Sequence, residues 1–168
     1  MEAIVIRRAE QSDLPALLAI YNHYVRETPA TFDIEPRTLA QHQAWFNAFA
    51  ATGRYRCFVA IKDGEPVGSA NSHPYKDRAA YDTTVLSSVY LAPPAQGQGQ
   101  GLGRKLYAAL FDAMAGEDVH RIAAGITLPN EASVRLHRSF GFEPVGIYRE
   151  VGRKFGRFWD VATYLKPF

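Results

Sequence analysis

A mixed, mostly antiparallel sheet with helices on both faces, an α/β (α+β) fold, is the class this 168-residue sequence predicts, and three observations carry it. The first is the order of hydrophobic patterns, which reads βααβββαβαββ from end to end. The second is Asp63-Gly64 between two apolar runs, a strong signal for a short hairpin. The third is the stretch Thr83 to Met114, where a β-branched strand, TTVLSSVYL, runs through Pro93-Pro94 and a glycine-rich loop into an amphipathic helix beginning near Leu102. No internal repeat, low-complexity linker or second composition interrupts this order, so residues 1–168 read as one domain.

The elements follow in order. Ala3 to Arg7 reads as a short strand. The next helix has Ser12 as a plausible N-cap and Pro15 in its first turn, and Leu14, Leu17, Leu18, Tyr21 and Val25 repeat at helical spacing. His23 and Tyr24 stand near its end, and Pro29 stops it. Thr38 and Gln41 form a capping-box pattern that opens a second helix carrying Trp45, Phe46 and Phe49, which suit a core. Arg54 to Ile61 and Pro66 to Ser72 are strands on either side of the Asp63-Gly64 turn. The loop HPYKDRAAYD leads from them into the central strand; Tyr75 and Lys76 beside a histidine could bind an anionic acceptor, and the same composition suits a solvated loop. After the loop-bearing helix, with Leu102, Leu106, Leu110 and Ala113 on one face, Val119 to Thr127 is a strand. A helix from Asn130 to Phe140 then ends at Gly141, a natural residue just past a helix C-terminus. Asn130, Ser133 and His137 recur at i, i+3 and i+7 and share one face. Val145 to Val151 and Phe158 to Leu165 close the chain as strands around GRKFG.

The glycine-rich loop AQGQGQGLG points to a phosphorylated ligand. A strand feeding such a loop into a helix start gathers free backbone N–H groups at one spot, and glycine lets the backbone approach an anion closely. A P-loop requires Gly-Lys followed by Ser or Thr, whereas Gly103 is followed by Arg104 and Lys105. A dinucleotide fingerprint requires glycine where this chain has Leu102, Arg104 or Leu106. What remains is Gln98-Gly99-Gln100-Gly101-Leu102-Gly103, of the form Q/R-x-x-G-x-G/A; the frame two residues earlier also fits, and the later one is preferred because Gly103 leads directly into the helix.

Composition sets the outer bounds. A net charge of +2 is too small to argue for nucleic acid. No apolar run approaches the roughly 20 residues of a membrane span, and MEAIVIRRAEQSDLP holds no signal-peptide core, so a soluble cytoplasmic protein is expected. Cys57 is the only cysteine, which excludes an internal disulfide and a cysteine-based zinc cluster, and its place in CFVAI suits a buried small residue. No metal is expected.

The loop, with SVYL before it and GRKLYAALF after it, resembles the acetyl-CoA site of the GNAT N-acetyltransferase superfamily. LPNEASVRLHRSFGFEPVG, REVGRKFGRFWDV, AIYNHYV and QAWF narrow the resemblance to the phosphinothricin and methionine sulfoximine N-acetyltransferase family over nearly the whole chain. The resemblance implies the GNAT fold with a splayed central strand, acetyl-CoA as co-substrate and a small amino-acid-like primary amine as acceptor. It implies that Val89, Tyr90 and Leu91 hydrogen-bond the pantetheine arm, that residues from Gln98 to Gly103 hold the pyrophosphate, and that Asn130 and Ser133 contact the donor. His137 stands where many superfamily members carry a tyrosine that protonates the departing thiolate. Histidine, with an unperturbed pKa of about 6.5, can serve as acid or base, although a lone helical histidine is more often structural. Leu86, Ser87 and Ser88 of the central strand, with Phe32 from the early helical region, are the implied acceptor contacts. The family's dimers use their C-terminal region at the partner's active site, so a homodimer is implied in which Lys154, Phe155 and Arg157 reach across; taken alone, RKFGRF reads equally as an exposed basic loop.

The sequence departs from that family at two places. Relatives commonly read V-E-S/H-S/T-V-Y-V where this chain reads Val85-Leu86-Ser87-Ser88-Val89-Tyr90-Leu91, so the glutamate regarded as general base is Leu86 here. Leucine cannot take a proton. Peptide α-amines, with pKa values of about 7.7 to 8.0, need less help than the more basic free amino acids. His73, Asp82 or a water could stand in as base, and nothing in the sequence chooses among them. The glycine loop is also two residues longer than usual. Two other functions therefore stay open: a peptide or protein N-acetyltransferase with an open acceptor groove, and a non-catalytic acyl-CoA-binding domain.

Overall fold

The computed structural model describes residues 3–168. Strand β1, Val5–Arg8, leads into a short 3-10 turn and helix α1, Leu14–Glu27. The expected cap at Ser12 is displaced by one residue. Asp13 is the N-cap, and its carboxylate accepts from the Glu10 N–H at 2.8 Å and from the Arg7 guanidinium at 2.7 and 2.8 Å. Burial alone would raise the pKa of Asp13; the hydrogen bonds from Arg7 and the Glu10 backbone, together with the Arg7 charge, outweigh it and hold the carboxyl below its ordinary 3.8. A depressed folded pKa contributes stability above the unfolded value and loses it as pH falls through the folded one. Asp13→Asn is therefore expected to lower the urea midpoint at pH 7, with the gap to the natural chain closing as pH drops below 3.8.

Helix α2, Leu39–Phe46, begins behind Thr38 with both bonds of the capping box formed, Gln41 N–H to Thr38 Oγ1 at 3.2 Å and Thr38 N–H to Gln41 Oε1 at 2.9 Å. Strands β2, Cys57–Lys62, and β3, Glu65–Pro74, form the expected hairpin, with Asp63 and Gly64 both at positive φ, 54° and 81°. Then come β4, Thr84–Leu91; α3, Leu102–Met114; β5, Arg121–Thr127; α4, Glu131–Ser139; β6, Glu143–Lys154; and β7, Arg157–Pro167. The last hairpin turns on Phe155-Gly156 alone, shorter than the loop expected at GRKFG, so Lys154 and Arg157 belong to the strands.

The seven strands lie in the order β1-β2-β3-β4-β5-β7-β6. Every pairing is antiparallel except β4 with β5. On one face α3 buries Leu102, Leu106, Tyr107, Leu110, Phe111 and Met114 against Val85, Ile122, Ala124 and Ile126. Its stripe thus ends on Met114 rather than on Ala113, which is half-buried. On the other face Leu17, Cys57 and Val59 pack with Trp45, Phe46 and Phe49 of the α2 region. Cys57 is 2% exposed, and burial pushes its thiol up to about 12, which leaves no thiolate to react.

What positions the site is the failure of the parallel pair to continue. The β4–β5 ladder holds at Thr84/Arg121, Val85/Ile122 and Leu86/Ala123 and then stops, while β4 stays on β3 as far as Leu91 and β5 stays on β7 as far as Thr127. The two strands part like a V. Among the described residues no helix is long and apolar enough to cross a membrane.

Candidate active site

A cavity of about 450 Å³ fills the opening of the V. Its walls are β4 from Ser87 to Leu91, the loop and helix start from Ala95 to Arg104, Gly125 to Thr127 of β5, and Asn130, Ser133 and His137 of the α4 region. Gly101 is the N-cap of α3 at φ 62°, and the first helical bond found there runs from Lys105 N–H to Gly101 O at 3.0 Å. The amides of Leu102, Gly103 and Arg104 are the first-turn donors that a helix leaves without internal partners. Such a cradle fits an anion. Gly103 is small for a packing reason as well, since a Cβ there would lie 3.1 Å from the Leu136 side chain.

Register decides which backbone groups of β4 are free. Ala92 N–H donates to Val67 O at 2.8 Å, so the even-numbered residues of β4 ladder onto β3 and the odd-numbered ones turn their N–H and C=O toward the V. Tyr90 therefore spends its backbone on β3, contrary to expectation, and contributes its ring, which meets Tyr21 and Tyr24 edge-on at 5.5 and 4.9 Å. Leu91 also differs from expectation. Its carbonyl accepts from the Tyr24 hydroxyl at 2.7 Å and from Gln96, and its N–H reaches Tyr24 at 3.3 Å. Val89 is the residue whose backbone faces the cavity without such a plug. A pantetheine arm has amides that can pair with it as an added strand would.

Asn130 caps α4 by accepting from Ser133 N–H at 3.2 Å, which turns both residues to the cavity rim. His137, 3% exposed, has both ring nitrogens engaged: Nδ1 lies 2.7 Å from Ser133 O and Nε2 lies 3.0 Å from the Tyr107 hydroxyl. A carbonyl can only accept, so Nδ1 carries the proton and Nε2 accepts from Tyr107. Burial lowers the pKa of His137, which keeps this tautomer neutral. Tyr107 lies 3.4 Å from Ser87 Oγ, and burial drives its pKa far up, so it too is neutral. The group with a movable proton beside β4 is thus the Tyr107 phenol backed by His137.

A second cavity of about 520 Å³ lies on the opposite face of β3 and β4, under α1 and α2. Its floor is built of cross-strand pairs, Ser69/Tyr90, Asn71/Ser88 and His73/Leu86. Tyr21, Arg37, His42, Trp45 and Phe49 wall it. Trp45 and Phe49, expected as core, are half-buried and do both jobs. Among the described residues no carboxylate lines it. Asp33, outside the lining, is bonded to two groups that do line it, the Tyr21 hydroxyl at 2.6 Å and Arg37 at 3.1 Å. His42 is 1% exposed, stacked on Trp45 at 4.4 Å, and pushed down to about 4 by burial with a smaller push from Arg37. Neither of its ring nitrogens has a partner, and neither does Asn71 Oδ1. The two cavities share Ala30, Ser87, Ser88, Tyr90 and Gly125.

Four expected acceptor contacts line neither cavity. Tyr75 and Lys76 form their own cluster with Tyr81, the Lys76 ammonium 5.0 and 5.1 Å from the two rings. Phe32 lies so close over Gly152 that a Cβ there would collide with its ring. Lys154 is 4% exposed, its ammonium donating to Thr31 O at 2.8 Å within the same chain. The sequence pointed to Leu86, Ser87 and Ser88, which do line the second cavity, and missed Asn71, His42, Arg37, Tyr24 and Tyr107. Only Tyr107 left a trace, a hydroxyl beside the apolar stripe of α3.

The sequence profile of the Acetyltransferase (GNAT) family matches residues 17–142. The chain belongs to the GNAT acetyltransferase family. Among its relatives, a phosphinothricin N-acetyltransferase of Streptomyces coelicolor is 52% identical over 98% of this chain and 96% of its own. An L-methionine sulfoximine/L-methionine sulfone acetyltransferase of Pseudomonas paraeruginosa is 38% identical over 94% of this chain and 90% of its own. The crystal structure of a GNAT superfamily phosphinothricin acetyltransferase from Sinorhizobium meliloti in complex with AcCoA superposes with a TM-score of 0.90 at 30% identity, covering 98% of this chain and 88% of that one. The GNAT fold is therefore present throughout, and the V between β4 and β5 is its splayed central strand. The chain is an acetyltransferase, and the donor of such enzymes is acetyl-CoA.

Proposed function

We propose that this GNAT enzyme moves the acetyl group of acetyl-CoA to the primary amine of a small, amino-acid-like acceptor of the phosphinothricin or methionine sulfoximine kind. One observation carries the reading: a donor-shaped cleft and a separate acceptor-sized cavity meet at Ser87, Ser88, Tyr90 and Gly125, where β4 and β5 part. Acetyl-CoA supplies an activated thioester carbonyl at that junction. The first-turn amides of Leu102 to Arg104 hold its pyrophosphate, the loop from Gln98 to Gly101 frames it, and Asn130 and Ser133 border the arm. Val89 aligns the arm through its free backbone. A cavity of about 520 Å³ floored by Asn71 and Ser88 suits one amino acid better than a peptide. The acceptor amine attacks directly: Cys57 is inert, and Ser133, whose Oγ lies 3.3 Å from His137 Nδ1, faces a nitrogen that already carries its proton. Tyr107, held by His137, gives the departing sulfur its proton.

Acceptors named in the relatives supply the first panel: phosphinothricin, methionine sulfoximine, methionine sulfone, the common amino acids and short peptides. Mass spectrometry of the products should show acetylation of a single amino-acid amine and none of a tripeptide; acetylated peptide alone would replace this acceptor reading. Val89→Pro removes the N–H that faces the cleft while sparing the β3 ladder, so the Kd for acetyl-CoA should rise about fivefold with one hydrogen bond of about 1 kcal/mol lost. Ser88→Pro removes a ladder donor instead and should lower stability more than Val89→Pro does. Urea midpoints and calorimetric titrations of the two variants separate the effects.

The reading extends to a cytoplasmic homodimer. β6 is an edge strand that exposes Val145, Ile147, Tyr148 and Val151, with Phe158 beside them on β7, and a bare apolar edge invites pairing with another strand. Sedimentation equilibrium giving only the monomer mass would remove the dimer.

A further inference from the structure

We propose that His73 is the general base of this enzyme, replacing the carboxylate that would otherwise stand at Leu86. The proposal rests on the acetyl-transfer reading above and adds the residue that makes the acceptor amine reactive. His73 and Leu86 are direct partners across β3 and β4, and both line the acceptor cavity. Residues opposite each other in an antiparallel pair hold their Cβ atoms about 5 Å apart on the same face of the sheet. An imidazole at 73 can therefore reach the space that a side chain at 86 would serve. Strand β3 runs on to Pro74, past the Ser72 end suggested by the sequence, and this extension brings His73 onto the cavity floor.

The other titratable groups of that cavity suit the task less well. Those facing His73 are Tyr21 of α1, Arg37 of the loop before α2, His42 of α2 and Tyr90 of β4. The Arg37 guanidinium has no lone pair with which to accept a proton, and burial raises the pKa of both phenols and keeps them neutral donors. His42 is packed between the Tyr21 and Trp45 rings. Asp82 lies outside the cavity and is exposed. His73 is half-buried, so it can release its proton to water. Burial, with a smaller contribution from the Arg37 charge, lowers its pKa below 6.5 against an opposing contact with the Pro74 backbone, so at neutral pH the ring is free to accept.

The proton balance is simple. His73 takes one proton from the acceptor's ammonium and passes it to solvent. The freed lone pair forms the new C–N bond as the C–S bond breaks; Tyr107 gives the sulfur its proton, and the second nitrogen proton, shed to water, is replaced on the Tyr107 oxygen from solvent, so the products are the amide and a neutral thiol. Asn71 Oδ1, buried and without a partner, lies one rung along the same strand toward the junction and can hold the remaining N–H.

Two measurements test the assignment. With phosphinothricin and acetyl-CoA, kcat/KM of the natural chain should fall on an acid limb below 6.5 as His73 takes a proton. His73→Gln should lower kcat/KM about a hundredfold and remove that limb, the scale of a lost general base. His73→Gln combined with Leu86→Glu should recover most of the rate, because a carboxylate then stands directly across the strand pair. A variant that keeps the natural rate, or loses rate with the limb unmoved, overturns the proposal. The second measurement needs no acceptor. In an NMR titration of the imidazole signals, Leu86→Glu should raise the pKa of His73 by placing a negative charge beside it; an unmoved His73 titration overturns the geometry. If the natural chain turns over no amino acid on the panel, the acceptor reading fails while the titration still decides the place of His73.

Discussion

Tyr107→Phe is expected to lower kcat about a hundredfold while leaving the Kd for acetyl-CoA close to that of the natural chain, the loss associated with one general acid. The phenol is buried, neutral and 3.4 Å from Ser87 Oγ, at the point where the donor cleft meets the acceptor cavity. Its proton lies toward His137 Nε2, because the other ring nitrogen is committed to the Ser133 carbonyl. Removing the hydroxyl also leaves Nε2 without a partner, at a cost of about 1–3 kcal/mol of stability. A purely structural hydroxyl would lower the melting temperature without changing kcat of the folded enzyme. Steady-state kinetics below the unfolding range, beside calorimetric titration with acetyl-CoA, distinguishes these outcomes. His137→Gln should show the same pattern more weakly, since it loses the partner and keeps the phenol.

Gly101→Val is expected to weaken acetyl-CoA binding by more than tenfold. Gly101 caps α3 at φ 62°, and a left-handed conformation costs an ordinary residue about 1–2 kcal/mol, more for a β-branched one. The open space around it means that the penalty is conformational rather than a clash. The chain relieves it by moving the helix start, and the amides of Leu102, Gly103 and Arg104 move with it. Leu102 and Leu106 anchor the same helix in the core at 3% and 0% exposure, so the fold should persist while the cradle is lost. Calorimetry reads the affinity, and an unchanged Kd would show that the pyrophosphate is held elsewhere.

Much of this architecture is visible in the sequence because it is written in short-range chemistry. Asp63-Gly64, Thr38 with Gln41, and Gly141 past α4 each fix a local conformation that no distant contact overrides. The glycine loop is of the same kind. The donor side was less legible at Tyr90 and Leu91, because which way a strand residue turns its N–H depends on its register with β3, set at Gly68 and Val67. Tyr24, which plugs Leu91, lies 67 residues away in sequence. The acceptor side was harder still. Asn71, His42 and Arg37 come from a strand, a helix and a loop that only the packed sheet brings together. Lys154 was misplaced for a simpler reason: the hairpin turn is two residues long, so the lysine joins β6 and its ammonium turns in under Thr31.

Leu86 on the cavity floor, where relatives carry a glutamate, separates this chain from the pattern it otherwise follows, and it makes the acceptor decisive. Acceptor-dependent thiol release from acetyl-CoA tests it most directly. With phosphinothricin, methionine sulfoximine or methionine sulfone present, one thiol should be released for each amine acetylated, above the rate without acceptor. Tight binding of acetyl-CoA with no acceptor raising thiol release, across amino acids and peptides alike, would contradict it and leave a domain that holds the donor without using it.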